Sequence, residues 1–383
     1  ARKKNMSTMS MRLLIHVFCS VLLSNVTGDV PQMLAVNMHT LEPVPGELAM
    51  VAAGGFTTVR MDLDWNAQEP SRGEYDFEIV DAFVAGLTVH KLRWLAIAGS
   101  QNSLYDSGDN VHTPEGIAAY ARWCAVFAKR YSNQMVSQSI MLELVNEPNS
   151  NHWYKNASIY SDLVNTAAIA IKSAVPQAQV VGPASENIDL NWLTQIFECG
   201  VLHSFTQITV HPYRSDEPET AASDLAELRT LVDEYTPLNQ PRMLIHSGEW
   251  GYSSVPTSST QLNSISHGKV ISRLLLTTIA SGVGMCVVYD WRDSPPSSNA
   301  EIMGMVENTL YPGCTPPFNP KPAYNATQVL AGQLTGCEFV ERLAVYQSGR
   351  NTEDDWVLLF KCNSNNNNKK NNTNNNNNNN NNN

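Results

Sequence analysis

The stretch 140–149, IMLELVNEPN, decides the predicted fold, because in it a buried strand runs directly into a turn with ionisable side chains. Ile140–Val145 is almost continuously apolar, which is typical of a parallel strand covered on both faces. Asn146, Glu147 and Pro148 then end the run, since asparagine and proline favour turns. The polar side chains are therefore expected at the carboxyl end of a strand.

The same unit recurs from Gln32 to Trp291. Short β-rich runs alternate with longer segments in which apolar residues have helical spacing, as Leu225, Leu228 and Val232 do. The predicted strands are Met33–Met38, Thr57–Met61, Trp94–Ala98, Ile140–Val145, Val180–Gly182, Gln207–Val210, Met243–His246 and Met285–Tyr289. Eight strands, each followed by a helix, predict an α/β chain folded as a (β/α)₈ TIM barrel. A doubly wound open sheet is the rival, but no GxGxxG or P-loop follows the first strand.

The N-terminal residues have the pattern of a targeting segment. Arg12 precedes the short apolar run Leu13–Leu23, and small or polar residues follow up to Gly28. Residues 1–28 are therefore predicted to be an N-terminal extension and a secretory signal peptide. The apolar run is too short to span a bilayer comfortably, so we expect a secreted or extracellular protein with no membrane span.

The C-terminal part of the chain changes character after the predicted barrel, which covers 29–335. Residues 336–362 contain two strand-like runs and are predicted to form a small, truncated β-domain. Residues 363–383 are nearly all asparagine, a low-complexity tail that cannot build a core.

Composition narrows the range of partners. The formal net charge is −11 and no Lys/Arg cluster stands out, so a nucleic-acid partner is not expected. Six cysteines follow the predicted signal peptide, and the sequence alone cannot choose among their pairings. Two sequons, at Asn156 and Asn325, predict a glycoprotein if they are exposed in the secretory pathway. No CxxC or histidine-rich spacing indicates a metal site.

Two glutamates are the candidates for chemistry, because barrel enzymes place catalytic groups at the carboxyl ends of their strands. Glu147 follows the fourth predicted strand and Glu249 follows the seventh. We therefore expect the two carboxylates on opposite sides of one barrel mouth, as cleavage of a glycosidic bond requires. That reaction needs no metal or other cofactor, and none is predicted.

The neighbours of each glutamate suggest its role. Glu249 must stay ionised to attack the anomeric carbon, and Arg60 and the Tyr213 hydroxyl are expected to support its charge. Glu147 must be protonated to release the leaving oxygen, and must later accept a proton from water. Asn146 is expected to hydrogen-bond the 2-hydroxyl group of the sugar.

Two further residues are predicted at the same mouth. His211 lies two residues before Tyr213 and is expected to orient the site rather than transfer protons. Trp291 follows the eighth predicted strand, and its ring is expected to stack on a sugar.

These motifs resemble those of clan A glycoside hydrolases, in which an Asn-Glu pair ends strand 4 and a nucleophilic glutamate ends strand 7. Leu144–Pro148 resembles the first of these motifs, and Glu249-Trp250-Gly251 resembles the second. His211-Pro212-Tyr213 is similar to the His-x-Tyr of strand 6, and Arg60 to the arginine of strand 2. The resemblance implies the barrel fold and assigns Glu147 as acid/base and Glu249 as nucleophile.

Within the clan, the chain most resembles glycoside hydrolase family 39 and related exopolysaccharide endoglycosidases. The segments that carry this likeness are Gly55–Phe77, Val288–Arg292 and Asn319–Tyr324. The sequence thus predicts a retaining hydrolase that cleaves a β-glycan or an exopolysaccharide by double displacement, with a polysaccharide or oligosaccharide as its partner. Two alternatives are a carbohydrate-binding barrel without catalysis and a metal-dependent barrel hydrolase, for which the sequence offers no ligand cluster.

Overall fold

The computed structural model describes residues 30–150, 154, 156–255, 263–294, 302–308, 313–343 and 356–363. Eight parallel strands close into a barrel in the order β1 to β8, and β1 pairs with β8. The strands are β1 Leu34–Asn37, β2 Thr58–Leu63, β3 Arg93–Ala98, β4 Ile140–Leu144, β5 Val180–Glu186, β6 Gln207–His211, β7 Leu244–Trp250 and β8 Cys286–Val288. The (β/α)₈ barrel predicted from the sequence is confirmed.

Helices connect successive strands, as the barrel topology requires. They are α1 Glu47–Ala53, α2 Trp65–Gln68, α3 Glu78–His90, α4 Pro114–Arg130, α5 Ser132–Val136, α6 Ala157–Ala174, α7 Leu190–Glu198, α8 Ala221–Tyr235, α9 Ser264–Ala280 and α10 Pro322–Leu334. The start of α4 shows the local cause: Thr113 accepts a hydrogen bond from the Gly116 amide at 3.2 Å, and Pro114 occupies the first helical position. Among the described residues, no helix has both the length and the apolar character needed to cross a membrane.

The core has two layers because each barrel strand is buried on both faces. Alternate residues of five strands form a cluster inside the barrel, namely Ala35, Leu95, Met141, Val181, Met285 and Val287. The opposite faces of the strands pack against the surrounding helices in one much larger apolar cluster. Each fully buried aliphatic side chain contributes about 1.5–3 kcal/mol to the stability of the fold.

A two-stranded antiparallel sheet follows the barrel, formed by β9 Cys337–Leu343 and β10 Val357–Cys362. Phe339 and Phe360 pack on a small cluster that includes Ile279 of α9. A disulfide between Cys337 and Cys362 joins the two strands and resolves one pairing that the sequence left open. The other cysteines of the described chain are free thiols, at Cys124, Cys199, Cys286 and Cys314.

Two predicted segments lie outside the described residues: the signal peptide, 1–28, and the asparagine tail beyond residue 363. Several strands extend beyond their predicted bounds, and the largest extensions are those of β5 and β7. β5 continues to Glu186 and β7 to Trp250, so Glu249 lies within a strand rather than after it.

Candidate active site

The turn after β4 brings consecutive side chains to the same mouth. Val145 and Glu147 both have left-handed backbone conformations, with φ of 67° and 45°. This conformation is strained for a β-branched residue such as Val145. The Glu147 amide donates to the Ala184 carbonyl of β5 at 2.9 Å, which fixes the turn to the next strand. As a result, Asn146 and Glu147 join one hydrogen-bond network instead of alternating between the faces of the sheet.

Arg60 of β2 is the centre of that network, and its side chain is only 1% exposed. Its Nη1 donates to Glu249 Oε2 at 2.8 Å and to Asn37 Oδ1 at 3.2 Å. Its Nη2 donates to Asn146 Oδ1 at 2.6 Å, and its Nε donates to Glu143 Oε2 at 2.7 Å. The rigid fork of donors on a guanidinium can satisfy this many acceptors at once, which the single ammonium of a lysine cannot.

Both carboxylate oxygens of Glu249 accept hydrogen bonds. Arg60 binds Oε2, and the Tyr213 hydroxyl donates to Oε1 at 2.9 Å. Burial opposes the ionisation of Glu249, but the charge of Arg60 and the hydrogen bonds from Tyr213 and Arg60 outweigh it and hold the pKa of this carboxyl below its ordinary value. Glu249 is therefore maintained as an anion.

Glu147 has a different environment. Its Oε1 lies 2.8 Å from Nδ1 of His211, and its side chain is 26% exposed towards the mouth. The other ring nitrogen of His211, Nε2, lies 3.3 Å from Nη2 of Arg60. Because a guanidinium only donates, Nε2 must accept, so the neutral ring carries its proton on Nδ1 and donates it to Glu147. His211 thus orients the Glu147 carboxyl group.

The two glutamates lie close together. One carboxylate oxygen of Glu147, one of Glu249 and a ring nitrogen of His211 are all within 4.8 Å of one another. Such a cluster has the spacing of metal ligands, but here each group already has a protein partner and the buried cation Arg60 lies beside them. These residues are therefore better suited to a pair of carboxyl groups held by protein partners than to a metal ion.

His39 and Asp290 form a second polar pair at the mouth, and their contact was not predicted from the sequence. His39 Nε2 lies 3.3 Å from Asp290 Oδ2, and the hydrogen bond to Asp290 raises the pKa of His39. The Tyr289 ring meets the His39 ring edge-on, with 5.3 Å between centroids. The available signal was positional, because these residues follow β1 and β8 at the carboxyl end of the barrel.

Trp291 is not in the cleft, and its prediction as a sugar-stacking residue is wrong. The residue is 1% exposed, and its indole Nε1 donates to Glu47 Oε1 at 2.8 Å. Phe56 and Tyr324 pack against the ring at centroid distances of 6.4 and 6.0 Å. No face of the ring remains for a ligand. The other predicted residues, Glu147, Glu249, Asn146, Arg60, His211 and Tyr213, meet in one network.

Comparison with solved structures finds the same architecture in glycosidases. A family 39 glycoside hydrolase from the gut symbiont Bacteroides cellulosilyticus WH2 superimposes with a TM-score of 0.72 at 19% identity, over 88% of this chain and 69% of that one. A family 39 β-xylosidase from Caulobacter crescentus gives a TM-score of 0.61 at 17% identity, over 81% and 73% of the two chains. The family 39 enzyme from Xanthomonas axonopodis pv. citri gives 0.63 at 18%, over 84% and 69%.

The chain shares their fold. No protein-family model matches the sequence, and no curated protein matches it. The likeness to family 39 structures, expected from the sequence motifs, is therefore established at the level of the barrel.

Proposed function

We propose that the chain is a retaining glycoside hydrolase, with Glu249 as nucleophile and Glu147 as acid/base. The observation that carries this proposal is that two neighbouring carboxyl groups have different hydrogen-bond partners. Glu249 has both oxygens held by Arg60 and Tyr213, whereas the side chain of Glu147 has, among the described residues, one histidine partner and faces the mouth. The oxygen spacing within 4.8 Å is compatible with the short separation of retaining enzymes, and inverting enzymes need more room for a water.

In the first step, the Glu249 carboxylate attacks the anomeric carbon while Glu147 gives its proton to the leaving oxygen. The glycosidic C–O bond breaks and an ester bond between the sugar and Glu249 forms. Arg60 and Tyr213 stabilise the nucleophile as an anion before attack.

In the second step, Glu147 is an anion and accepts a proton from water, whose oxygen attacks the anomeric carbon and breaks the ester bond. Glu249 returns to its ionised form and Glu147 to its protonated form, so no net proton is consumed by the protein. Asn146 accepts a hydrogen bond from Arg60 at 2.6 Å, and its proposed role is to hydrogen-bond the 2-hydroxyl of the sugar in both transition states.

The proposed substrate is a β-glycan or an exopolysaccharide. The solved structures of the same fold include a β-xylosidase, which supports a β-linked carbohydrate without selecting the sugar. A panel of aryl β-glycosides and soluble polysaccharides would identify it.

The test is the exchange Glu249→Gln, which removes the nucleophilic charge at nearly constant shape. We expect kcat on a cleaved aryl glycoside to fall at least about 1,000-fold. A 2-deoxy-2-fluoro glycoside with a good leaving group should add one sugar mass to the peptide that contains Glu249. The matched control is Glu186→Gln, at the carboxyl end of β5, two strands away from β7, which should keep activity within about threefold.

Turnover by Glu249→Gln at the wild-type rate would refute the assignment. Binding of glycans by the wild-type protein without hydrolysis of any substrate in the panel would instead support the carbohydrate-binding barrel.

We further propose that the protein is secreted. The disulfide between Cys337 and Cys362 supports an oxidising compartment, and the exposed side chain of Asn156 is accessible for glycosylation. Expression in a secretory host should release a protein that starts near residue 29 and loses mass on treatment with an N-glycosidase. Retention of the intact chain inside the cell would contradict the proposal.

A further inference from the structure

Glu143 is a carboxylate in the middle of a buried strand. It lies four residues before Glu147 on β4, where every residue is buried, and its side chain is 0% exposed. Burying a carboxylate is unfavourable unless the group is paired. The position therefore requires an explanation beyond packing.

The partner of Glu143 is also the partner of the proposed nucleophile. Glu143 Oε2 accepts from Nε of Arg60 at 2.7 Å, and Nη1 of the same guanidinium donates to Glu249 at 2.8 Å. One cation is thus shared between two carboxylates. The second oxygen of Glu143, Oε1, has no hydrogen-bond partner within the described parts of the chain, so this pair is not optimised for stability.

We propose that Glu143 is a positioning residue for the reaction: it holds Arg60 by Nε and takes up part of its charge, so that Glu249 remains a reactive nucleophile. The catalytic meaning of this proposal rests on the proposed function. A guanidinium that paired with Glu249 alone would stabilise the ionised carboxylate more strongly and make it a poorer nucleophile.

The proposal predicts the direction in which the pKa of Glu249 changes when Glu143 is exchanged. Removing the Glu143 charge leaves Arg60 with less compensation and removes a repulsion from Glu249, so the pKa of Glu249 should fall. If Glu143 were only a structural anchor that acts through its hydrogen bond to Arg60, a neutral amide in its place would leave the pKa of Glu249 unchanged, and loss of the anchor would raise it. The other titratable groups that face Glu249 are unchanged in this comparison, namely His39, Asp62, Glu147, His211, Tyr213, Tyr289 and Asp290.

The decisive variant is Glu143→Gln, in which the amide oxygen still accepts from Arg60 Nε but the charge is absent. The ¹³Cδ resonance of Glu249 in protein labelled at glutamate, assigned by its loss in Glu249→Gln, reports the titration of this carboxyl group without a substrate. We expect the midpoint to fall by about 0.5–1 pH unit relative to wild type. With a cleaved aryl glycoside, the acidic limb of kcat/KM should shift by the same amount, and kcat should fall about three- to tenfold.

The matched control is Glu47→Gln. Glu47 is also 0% exposed and paired with an arginine, Arg292, but it does not touch Arg60. Its exchange should leave the Glu249 midpoint within about 0.2 pH unit of wild type. An unchanged or raised midpoint in Glu143→Gln would overturn the proposal.

Glu143→Asp serves if Glu143→Gln does not fold. It withdraws the carboxylate from Arg60 by one methylene, and a smaller shift in the same direction is expected; a rise would again overturn the proposal. Failure of the proposed function is separate, because the resonance titrates whether or not any glycoside is cleaved. If the wild-type protein cleaves no glycoside and Glu143→Gln still lowers the midpoint of Glu249, the proposal on Glu143 and Arg60 stands and the proposed hydrolase function fails.

Discussion

Two buried glutamates of the barrel, Glu143 and Glu47, have the same burial and the same kind of partner. Both side chains are 0% exposed, and each binds an arginine through Nε, at 2.7 Å from Arg60 and 2.6 Å from Arg292. Their remaining contacts differ. Glu143 has one hydrogen bond within the described residues, and the arginine that it binds continues to Glu249.

Glu47, in contrast, uses both oxygens. Oε1 accepts from Trp291 and from Arg292 Nε, and Oε2 accepts from the Val44 amide and from Arg292 Nη2. The comparison teaches that burial and pairing do not separate structural from functional charges. The hydrogen bonds of the pair do separate them. Both oxygens of Glu47 are fully bonded within its own pair and its neighbours, whereas the arginine that binds Glu143 also donates to Glu249 in the cleft.

The largest expected effect is that of Arg60→Lys. An ammonium cannot reach the five acceptors of Arg60 in one geometry, so kcat/KM should fall at least about 1,000-fold and the free energy of unfolding by about 3 kcal/mol. Steady-state kinetics and urea denaturation measure the two effects. Retention of a tenth of the activity would contradict the difference drawn between the two pairs, because the guanidinium of Arg60 would then not be needed for the reaction.

Glu47→Gln should have the next largest effect, and only on stability. It removes the charge opposite Arg292, so the free energy of unfolding should fall by about 2–4 kcal/mol. Urea denaturation measures this, with the exposed Glu227→Gln on α8 as the control that should stay within about 0.5 kcal/mol. Equal stability of the two variants would show that the saturated pair is not structural.

Tyr213→Phe tests the other support of the Glu249 carboxylate, next to the Glu143–Arg60 pair. The Tyr213 hydroxyl stabilises the Glu249 anion, so its removal should raise the pKa of Glu249 and move the acidic limb of kcat/KM to higher pH. This is opposite in direction to Glu143→Gln, and kcat should fall about tenfold. Tyr252→Phe removes a hydroxyl that, within the described parts of the chain, donates to the Asp216 carbonyl, and should leave the limb in place. Movement of the limb to lower pH in Tyr213→Phe would contradict the assigned hydrogen bond.

Trp291→Phe should have the smallest effect. It removes one donor to Glu47, and the free energy of unfolding should fall by about 1 kcal/mol. KM for a cleaved glycoside should stay within about twofold of wild type, since the ring faces Phe56 and Tyr324 rather than the cleft. A tenfold rise in KM would place the ring on the sugar after all.

Most of the barrel could be predicted from the sequence because parallel strands buried on both faces leave apolar runs. The end of β7 could not, because Ser247 and Gly248 read as a turn. Inside a closed barrel a glycine instead permits close approach: a Cβ on Gly248 would lie 3.3 Å from the His211 ring, and one on Gly251 would lie 1.9 Å from the Tyr289 carbonyl oxygen.

The site was predictable where motifs mark strand ends, as for Glu147 and Glu249. Glu143 and Glu47 were missed because their partners are distant in the sequence, 83 residues away for Glu143 and 245 for Glu47. The one local signal was a charged residue inside the apolar run of β4. Trp291 was misplaced for the same reason, since no local pattern shows that Glu47 lies beneath it.

The hydrogen bonds of Arg60 also determine when the site can form. Its partners lie 23, 83, 86, 151 and 189 residues further along or back in the chain. Synthesis proceeds from the N-terminus, so the guanidinium emerges long before the last of these carboxylates. A nascent chain that buried Arg60 early would leave its charge incompletely matched, which opposes premature collapse around β2. The guanidinium therefore completes its set of partners only when β7 has joined the barrel, because Glu249 is the last of them in the chain.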